Sequence, residues 1–163
     1  MMGMQVFTLI PARGGSKRIP GKNIRLLGGI PLIVWSMRTA LDCEIPVFVS
    51  TNSEAIEQVV NDYSPLVGII GRPDKLCGDD STDRDVINHA VLALQVAPGS
   101  IICYLRPTTP FRDLSIVRNA LECFTAHPDL TCLRCVEELT ESAFKTFTIE
   151  EGYLVPAIGR HMD

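Results

Sequence analysis

The stretch LIPARGGSKRIPGKN, residues 9–23, decides the fold and carries the first sign of chemistry. It continues an apolar run, residues 6–10, whose length and composition indicate a buried strand. The stretch then combines three glycines, two prolines and four cationic side chains. Glycines let an oxyanion approach backbone N–H groups, and arginine and lysine donate charge-assisted hydrogen bonds. The stretch therefore predicts a strand followed by a phosphate-binding loop.

Two better-known phosphate motifs do not fit this loop. A Walker A loop has four residues between its glycines, whereas five separate Gly15 from Gly21. Lys22 is followed by Asn23, which has no hydroxyl for a magnesium ion, and the dinucleotide pattern GxGxxG is absent. A solvated turn with scattered charges is the remaining alternative. The glycines and prolines argue against it because they fix the backbone around the charges.

Length and composition describe an ordinary globular domain. The 163 residues are 46% hydrophobic and 21% charged, with a net charge of -4. This balance argues against disorder and against a general polyanion-binding surface, so we expect no nucleic-acid partner. The sequence has neither a bilayer-length apolar run nor a recognisable secretion signal, and we expect a cytoplasmic protein without a membrane partner. The six dispersed cysteines are expected to be reduced and mostly buried.

Apolar runs of strand length alternate with amphipathic segments of helix length, which is typical of a parallel sheet covered by helices. We predict strands at 5–11, 46–50, 66–70, 101–105 and 130–136, with the 101–105 strand central, and a hairpin formed by 144–149 and 153–155. We predict helices at 33–41, at 54–61 with N-cap candidates among residues 50–54, and at 86–96, and a last helix that Asp113 or Ser115 caps and that reaches residue 126. The loops that follow parallel strands meet at one edge of the sheet, so the conspicuous loops can form one pocket.

Five segments together resemble the sugar-activating cytidylyltransferases, the family of CMP-N-acetylneuraminate synthetase (acylneuraminate cytidylyltransferase) and its relatives for pseudaminic, legionaminic and Kdo-type acids. In chain order they are IPARGGSKRIPGKNIRLLGGIPLI, VSTNSEAI, GRPDKLCGDDSTD, LRPTTPFR and FKTFTIEEGYLVP. The resemblance implies a Rossmann-like, three-layer α/β fold of the nucleotide-diphospho-sugar transferase type, with a mostly parallel sheet and helices on both faces. It also implies one domain over residues 1–163, with residues 140–163 as a dimerisation arm, and hence a homodimer.

The resemblance implies transfer of CMP from CTP to a carboxylate-bearing, sialic-acid-like (nonulosonic) sugar, with release of pyrophosphate. Arg13 and Lys22 are implied as catalytic residues. The implied nucleotide-binding residues are Ala12, Arg13, Gly14, Gly15, Ser16, Lys17, Lys22 and Asn23, with Arg72, Thr82 and Asp83 on the cytosine side. The implied sugar contacts are Arg106, Thr108, Thr109 and Arg112.

One departure from the family pattern lies in the sugar loop. Arg106 stands where the sialic-acid enzymes typically have glutamine. Three interpretations stay open for this cation: a phosphate contact, a contact with the sugar carboxylate, or a structural bridge to an acidic neighbour.

A second departure concerns the metal. The family implies Mg²⁺, held by aspartates after the arm, and this sequence ends at Asp163 before such a stretch. We therefore assign no metal ligand, and we expect a fragment or a naturally shortened protein with weak or no turnover. Acidic residues that precede a helix, here Asp79, Asp80 and Asp83, act more often as caps than as metal ligands. Cys132 and Cys135 lack the second pair of ligands that a zinc site needs.

Two other functions are compatible with the sequence. The first is a nucleotidyltransferase of the same fold that uses another NTP and a neutral or phosphorylated sugar. The second is a nucleotide-binding dimer module without catalysis. The identity of the acceptor sugar is not fixed by the sequence.

Overall fold

The computed structural model describes residues 6–136, 147–150 and 153–156. The chain forms two compact units, Met1–His127 and Pro128–Asp163. The elements of the first unit are, in chain order, β1 (Val6–Pro11), β2 (Leu26–Leu27), β3 (Ile30–Pro31), α1 (Leu32–Asp42), β4 (Val47–Thr51), α2 (Glu54–Tyr63), β5 (Val67–Gly71), α3 (Asp83–Ala93), β6 (Ile101–Tyr104) and α4 (Leu114–Ala126). The second unit contains β7 (Phe147–Glu150) and β8 (Tyr153–Pro156).

A parallel sheet with the strand order β5-β4-β1-β6 forms the centre of the first unit. Thr8 of β1 pairs with Val47 of β4 on one side and with Cys103 of β6 on the other. The α/β class and the four strands predicted for this unit are confirmed. The central position predicted for the 101–105 strand is wrong for the described residues, because β1 is the strand that pairs with β6 there and β6 lies at the edge.

Helices cover both faces of this sheet, which confirms the three-layer prediction. Successive side chains of a strand point to opposite faces. Ile10 of β1 belongs to a core with Met37 of α1 and Val60 of α2. Its neighbour Leu9 belongs to a second core, with Ala90 of α3. Alternate side chains of β1 therefore pack with α1 and α2 on one face of the sheet and with α3 on the other face.

Capping residues decide where α3 and α4 begin. The side-chain oxygen of Thr82 accepts from the backbone N–H of Asp85 at 3.2 Å, and the Asp85 carboxylate accepts from the backbone N–H of Thr82 at 2.9 Å. This reciprocal pair starts α3 at Asp83, three residues before the predicted start. The helix ends at Ala93, and Gln95 has a positive φ of 50°. The predicted cap of α4 is confirmed, because Asp113 accepts from Ser115 N at 2.8 Å.

In the second unit β7 pairs antiparallel with β8, with Phe147 opposite Pro156, as the hairpin prediction requires. The connecting residues 151–152 and residues 140–146 and 157–163 of the predicted arm lie outside the described residues. The strand predicted at 130–136 is wrong, because these residues pair with no described strand and Val136 is 90% exposed. An apolar run forms a strand only where a partner strand offers its hydrogen-bonding edge.

Two expectations from composition are also tested. None of the six cysteines, which all lie within residues 6–136, forms a disulfide, but Cys123, Cys132 and Cys135 are exposed, so the expectation of mostly buried thiols is wrong. None of the helices within the described residues has the length and apolarity needed to cross a bilayer.

Candidate functional site

Four loops meet at the carboxyl edge of the sheet: residues 12–23 after β1, 52–53 after β4, 72–82 after β5 and 105–113 after β6. Backbone hydrogen bonds between neighbouring strands continue into the first residues of these loops. Ala12, which is buried, donates to Ser50 O at 2.9 Å, and Arg72 N donates to Thr51 O at 2.6 Å. The parallel topology therefore places the predicted phosphate loop beside the loops predicted to contact cytosine and sugar.

The phosphate loop, residues 12–23, is seated on the loop after β4. The N–H of Gly14 donates to the side-chain oxygen of Asn52 at 3.0 Å. A Cβ on Gly14 would lie 2.8 Å from the Cβ of Ser53, so only glycine allows this approach. Gly21 adopts a positive φ of 61°, and the buried Asn23 donates to the carbonyl of Arg13 at 3.0 Å. The loop thus has a defined conformation.

Two cations of the phosphate loop converge on one carboxylate. Arg13 donates through Nη1 to the carbonyls of Cys77 at 2.9 Å and Gly78 at 2.7 Å, and through Nη2 to Oδ1 of Asp79 at 2.9 Å. Lys17 donates to the other oxygen, Oδ2, of the same carboxylate. These bonds, first from Lys17 and then from Arg13, hold the pKa of Asp79 below its ordinary value. A pair of cations that binds one carboxylate in this way can also bind a phosphate group.

Lys22 has a different environment from these two cations. It opens the short 3₁₀ helix Lys22–Ile24 and is only partly exposed. Its ammonium group has neither a hydrogen bond nor an ion pair within the part of the chain that the structure describes. Ser16 and Gly15, also predicted to bind nucleotide, lie between Arg13 and Lys17 in the same loop, and Ser16 N donates to Gly14 O at 3.0 Å.

Arg72, at the end of β5, is a buried cation with 7% of its surface exposed. Its Nε donates to Ser50 Oγ at 3.0 Å and its Nη2 to Ser50 O at 2.7 Å. Burial lowers the pKa of Arg72, and burial also raises the pKa of the nearby Cys77 thiol. In this structure the guanidinium joins the carboxyl ends of β4 and β5, and its role as a cytosine contact stays a prediction.

A small polar network joins the cytosine-side residues to the sugar loop. Asp83, the first residue of α3, accepts a hydrogen bond from the Tyr104 hydroxyl at 3.0 Å and forms an ion pair with Arg106. The Arg106 guanidinium also lies 5.9 Å from the centre of the Tyr104 ring. Burial raises the pKa of Tyr104, which keeps this hydroxyl protonated as a donor. Among the three interpretations of Arg106, the structure thus shows a bridge to an acidic neighbour.

Arg112 of the sugar loop is directed to α1. Its guanidinium donates to Ser36 Oγ at 3.0 Å and to the carbonyl of Arg106 at 2.6 Å, and burial lowers its pKa. Thr108 and Thr109 are exposed, and Thr109 N donates to Arg106 O at 3.2 Å, which closes a turn. Arg112 therefore fixes the loop conformation. Sugar contacts by these residues stay predictions.

Residues 7–149 match the cytidylyltransferase family, and this range includes all the predicted site residues. The chain belongs to the cytidylyltransferase family.

Curated members of this family include close relatives of the chain. It is 38% identical over 128 residues to the CMP-N,N'-diacetyllegionaminic acid synthase of Legionella pneumophila. This alignment covers 73% of this chain and 53% of that protein. It is 36% identical over 126 residues to the pseudaminic acid cytidylyltransferase of Campylobacter jejuni, covering 74% of this chain and 53% of that protein. The chain thus spans about half the length of these relatives.

A solved structure supports the fold. A CMP:2-keto-3-deoxy-manno-octonic acid synthetase complexed with CTP superposes with a TM-score of 0.62 at 23% sequence identity, covering 77% of this chain and 49% of that one. The cytidylyltransferase chain described here therefore shares the sheet and helix arrangement of that structure.

Sequence reasoning missed several residues that shape the candidate site. Ser50 and Asn52 were visible only as candidates for a helix cap, yet they hold Arg72 and Gly14. Tyr104 carried no signal, because it reads as one more apolar residue of a strand. Position gives the one available hint, since side chains at the carboxyl ends of parallel strands face the ligand edge.

Proposed function

We propose that this chain carries the CTP-binding and transfer site of a cytidylyltransferase that attaches CMP to a nonulosonic, carboxylate-bearing sugar. The observation that carries the proposal is the phosphate loop. Its cations Arg13, Lys17 and Lys22 lie at the carboxyl end of β1, beside the loops of Arg72 and Arg106. The names of the legionaminic and pseudaminic relatives support both the nucleotide and the class of sugar.

The reaction follows from what a phosphoryl transfer needs. The anomeric hydroxyl oxygen bonds to the α-phosphorus of CTP and loses its proton, and the bond from the α-phosphorus to the oxygen that bridges to the β-phosphorus breaks, so that pyrophosphate leaves. Charge builds on the phosphate oxygens during this step, and positioned cations stabilise it. We assign that role to Lys22 and Arg13. Lys22 is the stronger candidate, because its ammonium group has no counter-ion within the described residues.

We assign the neighbouring loops to the base and the acceptor. Arg72, Thr82 and Asp83 would face cytosine, and Thr108 and Thr109 the sugar. Arg106 is more than half exposed, so it can exchange Asp83 for the carboxylate of the sugar. Arg112 would act on the sugar mainly by holding this loop.

A divalent metal is plausible for this family, and we propose Mg²⁺. The described residues do not fit a metal site of their own: no group of three or more His, Cys, Asp or Glu within residues 6–136, 147–150 and 153–156 could hold an ion. The carboxylates of Asp79 and Asp83 are bound to cations instead. We therefore assign no step to the metal. A homodimer and a cytoplasmic location also stay proposals.

Pyrophosphate release with CTP, Mg²⁺ and a panel of nonulosonic acids tests the proposal. We expect at most weak turnover with CTP and a carboxylate-bearing sugar, and a further loss of about 10²–10³-fold for Lys22→Met, the size of effect seen when one charge-stabilising donor is removed. Lys75→Met, which removes an exposed cation of the loop after β5, is the matched control and should change turnover less than twofold. Use of another NTP without use of CTP would contradict the base assignment.

Calorimetry separates catalysis from simple binding. CTP binding that depends on Mg²⁺ supports the transferase, and equal binding with and without Mg²⁺, together with no pyrophosphate release, favours a nucleotide-binding module. Light scattering of the purified protein tests the dimer.

A further inference from the structure

One carboxylate already lies where the phosphate loop presents its cations. Asp79 places Oδ1 against Arg13 and Oδ2 against Lys17, so its two oxygens are shared between two cations 62 and 66 residues away in the sequence. Two donors on the two oxygens of one anion are also what a phosphate group would receive. The loop therefore contains a formed anion site, and a side chain of the same protein occupies it.

The rest of the Arg13 guanidinium is bound differently. Nη1 donates to the carbonyls of Cys77 and Gly78, and these bonds do not involve the Asp79 carboxylate. The position of Arg13 is thus maintained by the backbone of residues 77–78, whereas Nη2 and the Lys17 ammonium are the donors that Asp79 uses. Removing the Asp79 charge should leave Arg13 in place and make these two donors available.

We propose that Asp79 is an internal competitor of the triphosphate: its carboxylate occupies the Arg13–Lys17 anion site in the unliganded chain and must leave when a nucleotide binds. The inference rests on the proposed function, because it assumes that this site receives a phosphate group of CTP. As a competitor, Asp79 lowers the affinity of that site for other anions. Its carboxylate carries one negative charge and is displaced by a polyphosphate, which carries several.

Exposure makes this exchange feasible. Half of the Asp79 side-chain surface and 81% of that of Lys17 are exposed to solvent. An exposed ion pair is weak because water screens it, so the carboxylate can rotate into solvent at a small cost. Asp80 follows in the same loop, is exposed, and has no bond to either cation. It provides a matched control with the same change in charge.

The test measures binding of inorganic tripolyphosphate and of CTP, each by calorimetry, to the wild type, Asp79→Asn and Asp80→Asn. We expect Asp79→Asn to bind tripolyphosphate about three- to tenfold more tightly than Asp80→Asn, as loss of a screened ion pair with two cations predicts. The fluorescence of Trp35, the single tryptophan, verifies that each variant is folded.

Three results would overturn the inference: weaker binding by Asp79→Asn, which would make Asp79 a positioning residue for Arg13; equal binding by the two variants; or no tripolyphosphate binding by any of them. Failure of the proposed function gives a different pattern. In that case tripolyphosphate binds more tightly to Asp79→Asn, but CTP binds no better than other NTPs.

Discussion

Replacing Gly14 with alanine tests how the phosphate loop is seated. A Cβ at this position would lie 2.8 Å from the Cβ and 3.2 Å from the Oγ of Ser53. Ordinary van der Waals contact begins at 3.4 Å, so the closest pair would be too near by 0.6 Å (3.4 − 2.8). The φ of Gly14 lies outside the left-handed region, so its backbone accepts a side chain without strain. The expected cost is therefore steric.

The magnitude follows from overpacking. Forcing a methyl group into an occupied space costs about 1–3 kcal/mol. If the loop retreats instead, the 3.0 Å hydrogen bond from Gly14 N to Asn52 lengthens, which costs about 0.5–1.5 kcal/mol. We expect Gly14→Ala to lower the free energy of unfolding by about 1–3 kcal/mol. Urea denaturation followed by Trp35 fluorescence measures it, and calorimetry should show weaker CTP binding.

A second substitution makes the test specific. Ser53 forms no side-chain cap bond, so Ser53→Gly alone should cost only about a few tenths of a kcal/mol. It removes the Cβ that alanine would meet, so the double variant Gly14→Ala/Ser53→Gly should recover most of the lost stability. Gly15→Ala is a second control, because nothing lies within 4 Å of its Cβ. Wild-type stability of Gly14→Ala, or a double variant no more stable than the sum of the single effects, would refute the reasoning.

Three further predictions concern the sheet and α3. Gly68→Ala places a Cβ 2.5 Å from the Phe48 ring and should destabilise by about 1–3 kcal/mol, whereas Gly71→Ala, in the same strand with nothing within 4 Å, should be neutral in urea denaturation. Thr82→Ala removes the reciprocal cap of α3 and should cost about 1 kcal/mol by the same measurement. Hydrogen bonds from Thr82 lower the folded-state pKa of Asp85, so their contribution is present above about pH 4 and is lost as pH falls through the lower, folded pKa. When the pH is lowered, Thr82→Ala should therefore lose less free energy of unfolding than the wild type does; an equal loss would contradict the cap.

The strands and helices were predictable because their signals are local. A continuous apolar run predicted β1, and periodic apolar residues predicted α1 and α2 within a few residues. The meeting of the loops at one edge then followed from parallel pairing alone. The same local signal was misleading at residues 130–136, where the apolar run exists but no partner strand does among the described residues. Pairing is a property of the tertiary structure, which a local pattern cannot report.

The pairing of charges could not be predicted for a related reason. Spacing along the chain indicated that Asp79 and Asp83 precede a helix, and this favoured a capping role. In the structure they meet cations from other loops instead: Asp79 pairs with Arg13 and Asp83 with Arg106. These partners are separated by 66 and 23 residues, and only the order of the strands brings them together.

These ion pairs change how the phosphate loop should be understood. Counting cations along residues 9–23 suggests a strongly positive surface, but Arg13 and Lys17 share the single negative charge of Asp79 before any ligand arrives. Lys22 and Arg18 keep their charges uncompensated within the described residues. The first attraction for a polyphosphate therefore comes from Lys22 and Arg18, and Arg13 and Lys17 contribute fully only after Asp79 has been displaced. Since a displaced pair adds little net energy when it is exposed, the loop should select ligands by the number of charges that they carry.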